Sequence, residues 1–498
     1  MKKRCEFCLV WGALLLAALL GSVPCHAADA ATEALLSGDA KRSLELFLER
    51  LDKNPADDAA AAGEVEALLA LGRFDDALER STFQRAAFDS SPRVRAAHGS
   101  ALLRAGRLIE AQAVLAALET APDAPPRGLI ALARLRAARG LHEEAADLAA
   151  RALERGDVDP LVLFWAAESI GDRGRGIELL ERYLALKPRG QEDRIEAARG
   201  ALRLQQALGE REIWVPTASP DRVVLPLRLV WDDYGRKLGY VVEARIGPKD
   251  KPVKLMLDTG SSGLFLVERM ARKRGFEFLA EDTAFGGGGD QRHRNRRGLF
   301  SSFRLGELRF SDALAGTTRR ELEPYGRYHG LLGIQVLAGY RALLDLPNQE
   351  LILTRTNDSR SDPQGEPFWM LSGQMLVNAT VRNGRPGLFL FDTGATWSIL
   401  SKRFAASLEG LRSEPTAGLR GFGGAVEDVS IVRGTAVYFD GLDGGKNGLR
   451  SFDMSVRNGV GGVEVSGFIG LDLLNDVRIT IDTVAQWVTV EPGRKRRN

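Results

Sequence analysis

Two stretches 134 residues apart carry one pattern: "LMLDTGSSGLFL" over 255–266 and "LFLFDTGATWSIL" over 388–400. Each sets an Asp-Thr-Gly between apolar runs. A single such triplet is weak information, since Asp and Gly also suit an ordinary turn. The surroundings repeat as well. Laying 239–271 on 373–405 without a gap pairs Gly239 with Gly373, Pro252 with Pro386, Leu266 with Leu400 and Arg269 with Arg403. Further on, "AFGG" at 284–287 matches "GFGG" at 421–424, and "GLLGIQVLAGYRALLD" matches "GFIGLDLLNDVRITID". The chain from about 220 onward therefore reads as a duplicated unit. Short alternating runs such as "YVVEARI" and "WVTV" make that unit a β structure.

The first half obeys a different rule. Gly38, Gly72, Gly106, Gly140 and Gly174 are 34 residues apart, and the text around them repeats as "LGRFDDAL", "AGRLIEAQ" and "RGLHEEAA". Ala77, Ala111 and Ala145 each follow a glycine by five places, where two helices would have to approach closely. Pro92, Pro122, Pro160 and Pro188 fall at roughly corresponding places between repeats, where a proline can end a helix. This period and pattern resemble tetratricopeptide repeats. The resemblance implies an all-α solenoid over 31–210, "QEDRIEAARGALRLQQALGE" as its capping helix, and a concave face that binds a protein partner or presents substrate.

The N-terminal segment stands apart. Lys2, Lys3 and Arg4 precede an apolar run over 7–23, followed by Cys25-His26-Ala27, the order of a secretory signal over 1–27. The expected location is periplasmic or secreted, or membrane-anchored if the segment is retained. All three cysteines, Cys5, Cys8 and Cys25, lie inside it, so disulfides, thiol catalysis and cysteine metal sites are excluded from the remainder. The segment also carries the whole formal charge of +2, and a neutral remainder gives no electrostatic argument for nucleic acid. Histidines 26, 98, 142, 293 and 329 are scattered, so no metal and no cofactor is expected.

Each half of the duplication holds, in order, an apolar strand ending in Asp-Thr-Gly, a glycine cluster, and an apolar-apolar-Gly stretch at Gly333 or Gly470. These features resemble the aspartic proteases, and the text around "FIGLDLL" is most similar to the retropepsin-like branch. The resemblance implies a bilobal all-β fold, with one lobe over 220–355, a linker over 356–369 and a second lobe over 370–493. The lobes would form an intramolecular pseudo-dimer acting on a peptide or protein substrate. It also implies that Asp258 and Asp392 are the catalytic pair, supported by the turn residues Thr259, Gly260, Ser261, Thr393, Gly394 and Ala395. Gly286, Gly287, Gly288, Gly423 and Gly424 would belong to flaps over the substrate.

The chemistry suits the residues. Two carboxylates within hydrogen-bonding reach cannot both ionise, so they share a proton, and one can activate a water while the other protonates the substrate. A hydroxyl from Ser261 would favour the ionised form of Asp258, whereas Ala395 offers Asp392 nothing equivalent. The competing expectation is a non-catalytic peptide-binding or scaffold protein that keeps the protease fold.

Overall fold

The computed structural model describes residues 29–156, 158–284, 293–319, 327–356, 364–381, 384–421, 424–445, 448–455 and 461–493. The segment over 1–27 and glycines 286, 287, 288 and 423 lie outside these residues. Helices fill 30–208 and strands fill 215–492, so an all-helical region precedes a β-rich one. No described helix is long and apolar enough to cross a membrane.

The helices come in antiparallel pairs set by recurring caps. The helices Asp58–Ala70, Pro92–Arg104, Pro126–Ala138 and Pro160–Ser169 begin 34 residues apart. Side chains of Asp57, Ser91 and Asp159 accept from the first-turn amides of three of them. The prolines at 92, 126 and 160 thus open helices, where a fixed φ and a missing N–H do no harm, instead of closing them. Gly38, Gly72, Gly106 and Gly140 all have positive φ and end the preceding helix. One residue later, the amides of Asp39, Arg73, Arg107 and Leu141 reach back to Ala34, Leu68, Leu102 and Arg136. These are Schellman closures. The fifth member breaks the series: Gly171 takes the positive φ, and Gly174 lies inside the helix Arg173–Ala185. Ala77, Ala111 and Ala145 are fully buried, as close helix approach requires.

Each half of the β region is organised around a strand threaded between two others. Gly330–Leu332 runs parallel to Lys251–Leu257 and antiparallel to Leu264–Val267. Gly467–Ile469 repeats this between Arg385–Phe391 and Ile399–Ser401. Glycine is required after each threaded strand because the Asp-Thr-Gly loop presses on it. A Cβ on Gly333 would sit 2.3 Å from the Ser261 carbonyl oxygen, and one on Gly470 would sit 2.6 Å from the Trp397 carbonyl group.

The halves join through one antiparallel sheet. Its order is Glu366–Leu371, Trp487–Pro492, Val477–Asp482, Tyr340–Asp345, Glu350–Arg355 and Arg222–Pro226. The central pairing of Tyr340–Asp345 with Val477–Asp482 exchanges equivalent charges. Arg341 donates to buried Asp482 at 3.0 Å, and Arg478 lies 3.6 Å from buried Asp345. The stretch read as a linker over 356–369 therefore ends inside this sheet, because Phe368 and Trp369 bury their side chains.

The helical array is not a detached module. Its turns seat on the second half: Arg139 donates to the carbonyls of Phe368 and Gln486 at 2.5 and 2.9 Å, and the Glu464 amide donates to the Arg104 carbonyl at 2.8 Å. The strand "LFLF" explains why. Phe389 and Phe391 face the core shared by the lobes, whereas Leu388 and Leu390 pack into the core that contains helix residues Leu103, Ile130 and Trp165. Burying such side chains is worth about 1.5–3 kcal/mol each. The helix Glu192–Leu208 packs on the preceding helix Arg173–Ala185, with Ala198 in the helical core, and its other side rests on the strand Glu277–Ala284, where Arg203 donates to the Glu281 carbonyl at 2.9 Å.

Candidate active site

The two Asp-Thr-Gly loops meet tip to tip. Backbone pairing places them identically: the Asp258 amide donates to the Leu332 carbonyl and the Asp392 amide to the Ile469 carbonyl, both at 3.0 Å. The buried threonines then cross. Thr259 Oγ1 donates to the Phe391 carbonyl at 2.6 Å and accepts from the Thr393 amide at 3.1 Å. Thr393 Oγ1 donates to the Leu257 carbonyl at 2.9 Å and accepts from the Thr259 amide at 3.2 Å. Each loop thus binds the strand and the amide of the other.

This crossing brings the carboxyls together. A Cβ on Gly260 would fall 2.7 Å from Asp392 Cγ, and a Cβ on Gly394 would fall 2.7 Å from Asp258 Cγ. Each carboxyl therefore lies over the glycine of the opposite loop, and any larger residue there would displace it. Both aspartates are half-buried.

Burial pushes the Asp258 carboxyl well above the usual carboxylate range, and the charge and hydrogen bonding of Asp392 push it further. The backbone amides of Gly260 and Ser261 oppose this without reversing it. The Gly394 amide donates to Asp392 Oδ1 at 2.9 Å, whereas Asp258 Oδ1 is buried and takes no hydrogen bond from the described residues. The Ser261 hydroxyl makes no hydrogen bond to Asp258, so the expectation that Ser261 holds Asp258 ionised is corrected. Burial and the facing Asp392 raise the Asp258 carboxyl instead. The pair can hold one proton between them, ready to exchange with a water or a carbonyl oxygen placed above.

Of the remaining candidates, Ser261 and Ala395 lie in the loops, each with its amide donating to the aspartate carbonyl of its own triplet, at 3.1 and 3.3 Å. Gly333 and Gly470 back the loops from below. Gly424 begins the strand Gly424–Val426, which pairs with Leu419–Gly421 as a hairpin. Among the described residues, no group of three or more His, Cys, Asp or Glu side chains could hold a metal ion.

Two supporting interactions escape a reading of the motif. Gln374 Nε2 donates to the Gly260 carbonyl at 3.0 Å, and Gln335 donates to the Gly373 carbonyl, tying the first loop and the turn behind its threaded strand to the second half. Ser398 links the second loop to its threaded strand. Its hydroxyl donates to Asp472 Oδ1 at 2.6 Å and accepts from the Gly470 amide at 3.0 Å. The signal for this link is a break in the internal symmetry, since the equivalent positions in the first half are Leu264 and Gln335.

Comparison with known proteins agrees with this geometry. The family described as Aspartyl protease matches the chain twice, over residues 242–336 and 377–473. Each match contains one Asp-Thr-Gly and one of the threaded-strand glycines. The aspartic proteinase from Irpex lacteus aligns over 55% of this chain and 98% of its own, at 14% identity and a TM-score of 0.35, a likeness too slight to bear on any residue. No curated protein matches the sequence. The two matches support an aspartic protease-like C-terminal region, in the class of hydrolases of the protease type.

Proposed function

We propose that the chain is an endopeptidase that hydrolyses peptide bonds with a water activated between Asp258 and Asp392. The observation that carries this reading is the reciprocal packing of each carboxyl against the glycine of the opposite loop, so close that a Cβ on either glycine would stand 2.7 Å from the carboxyl carbon facing it. One carboxylate takes a proton from the water as it attacks, and the other gives its proton to the carbonyl oxygen. The tetrahedral intermediate then collapses as a proton passes to the leaving amine. The crossed threonines hold the two carboxyls in register through this exchange, and the buried strands beneath them keep the loops rigid. The similarity of "FIGLDLL" to retropepsin-like proteins supports that branch.

The reading includes export, on the strength of the basic-then-apolar residues at 2–23, and a role for the helical array in recruiting a protein partner or substrate. The decisive experiment is cleavage of an unfolded protein mixture by the full chain and by Asp258→Asn and Asp392→Asn. Products from the wild type alone would support the reading. The same products from all three proteins, or none from any, would remove it.

A further inference from the structure

The two Asp-Thr-Gly loops diverge just past their triplets, where Gly263 of the first loop corresponds to Trp397 of the second. The loops are otherwise placed alike, since Gly263 backs onto Gly333 as Trp397 does onto Gly470. A Cβ on Gly263 would meet nothing within 4 Å, so this position faces open space. One strand further out the same exchange recurs. Phe265 pairs in register with Gly316, and its counterpart Ile399 pairs with Arg450. The second lobe therefore carries an indole and a guanidinium where the first has two glycines. Both side chains are half-buried, and they stack, with Arg450 3.9 Å from the Trp397 ring centre.

The stack stands at the junction of the lobes. In the second lobe the hairpin turn at 372–373 abuts the first loop, where a Cβ on Gly373 would fall 2.8 Å from Ser262 Cβ. The matching hairpin of the first lobe is longer, with residues 232–236 between the paired Trp231 and Lys237. It crosses to the second lobe, where Lys237 donates to Asn475 and the charge of Arg236 acts on Arg450.

The charged groups around Arg450 are committed elsewhere. Arg236 is paired with Asp232, and Lys237 lies 4.0 Å from Asp476. Glu414, two strands across from Arg450, is paired with Arg433 at 3.1 Å. Asp472 acts on Arg450 at longer range, but its Oδ1 accepts from the Ser398 amide and hydroxyl at 2.7 and 2.6 Å. Among the described residues, no ion pair or hydrogen bond occupies the Arg450 fork, which is held only by the ring beneath it.

We infer that Arg450, laid against Trp397, selects an acidic side chain of the substrate at one fixed position relative to the cleaved bond. This rests on the hydrolysis proposed above. A guanidinium fixed by an aromatic face keeps its N–H edge open, and that edge fits a carboxylate through two parallel hydrogen bonds. An extended peptide lying over the two aspartates passes both loops. One of its side chains meets the stack and another meets the open Gly263, so selection falls on one side of the cleaved bond.

The test gives the full chain a peptide library cut from a denatured proteome and reads the cleavage sites by mass spectrometry. Asp and Glu should be enriched at one position, on one side of the bond. In the best peptide, replacing that acid by its amide should lower kcat/KM at least ~10-fold, and Arg450→Gln should remove the difference. Arg450→Glu should turn the preference at that position toward Lys and Arg, which a merely structural role for Arg450 would not do. Arg450→Lys keeps the charge without the fork and should shrink the acid-over-amide ratio, which decides the matter if the other variants do not fold. No acid enrichment at any position, or an enrichment that survives Arg450→Gln, would overturn the inference and leave the hydrolysis standing. Retention of the same library on immobilised Asp258→Asn protein gives a measurement independent of turnover. Acidic peptides should be enriched among those retained, and adding Arg450→Gln should abolish the enrichment. Retention without that enrichment would overturn the inference even if no product forms and the hydrolysis reading has failed.

Discussion

Thr393→Val probes the contact that holds the two halves of the site together. Valine keeps the volume and branching of threonine and deletes only the hydroxyl. That hydroxyl donates to the Leu257 carbonyl and accepts from the Thr259 amide, and both threonines are buried. Removing it strands one backbone acceptor and one backbone donor from the opposite loop, at about 1–3 kcal/mol for each buried group. The expected loss is about 2–6 kcal/mol, a large part of the ~5–15 kcal/mol typical of a folded domain. The chain should fold with a weakened junction between its halves. Urea denaturation followed by tryptophan fluorescence measures the loss, with Thr393→Ser as the control that restores the hydroxyl. A Thr393→Val midpoint within about 0.5 kcal/mol of the wild type, inside the range of ordinary surface substitutions, would refute the idea that these crossed bonds join the loops.

Three further outcomes follow from the same geometry. Gly260→Ala puts a methyl where Asp392 lies and should cut peptide cleavage by at least ~10²-fold while the helical circular-dichroism signal is kept, since a small misplacement of reacting groups is that costly. Asp258→Asn should stabilise the fold more at pH 7 than at pH 4. The raised carboxyl contributes stability that is full below its ordinary 3.8 and is lost as pH rises through its folded value, whereas asparagine is neutral throughout. Thermal melts at the two pH values decide this, and a constant difference would contradict it. Expression of residues 214–498 alone should give aggregated protein, because Trp369, Leu376, Leu388, Leu390 and Phe468 would lose their helical cover. A monomeric, cooperatively melting product on gel filtration would contradict that.

Much of the architecture is written where a backbone demands a particular residue. The glycines at 260, 333, 394 and 470 are legible because a side chain would collide with a neighbouring loop. The 34-residue series is legible because its glycines take a left-handed turn. What a sequence does not display is which surface covers an apolar strand face. "LML" and "LFLF" look equivalent, yet Met256 packs in a small cluster within its own lobe and Leu388 with Leu390 packs under the helices. At the site, the Ser261 hydroxyl is visible in the sequence, whereas the burial that raises the Asp258 carboxyl is a property of the folded loops. The shift from Gly174 to Gly171 shows that a period in letters can continue after the turn it marked has moved by three residues.

The proton balance of Asp258 and Asp392 tests the central claim most directly. Infrared difference spectra of the uniformly labelled chain, taken against an Asp258→Asn/Asp392→Asn baseline at about pH 5–6, count the protonated carboxyls in the pair from the C=O stretch. One protonated carboxyl for two aspartates is the predicted result. Two ionised carboxylates, or two neutral acids, would contradict it.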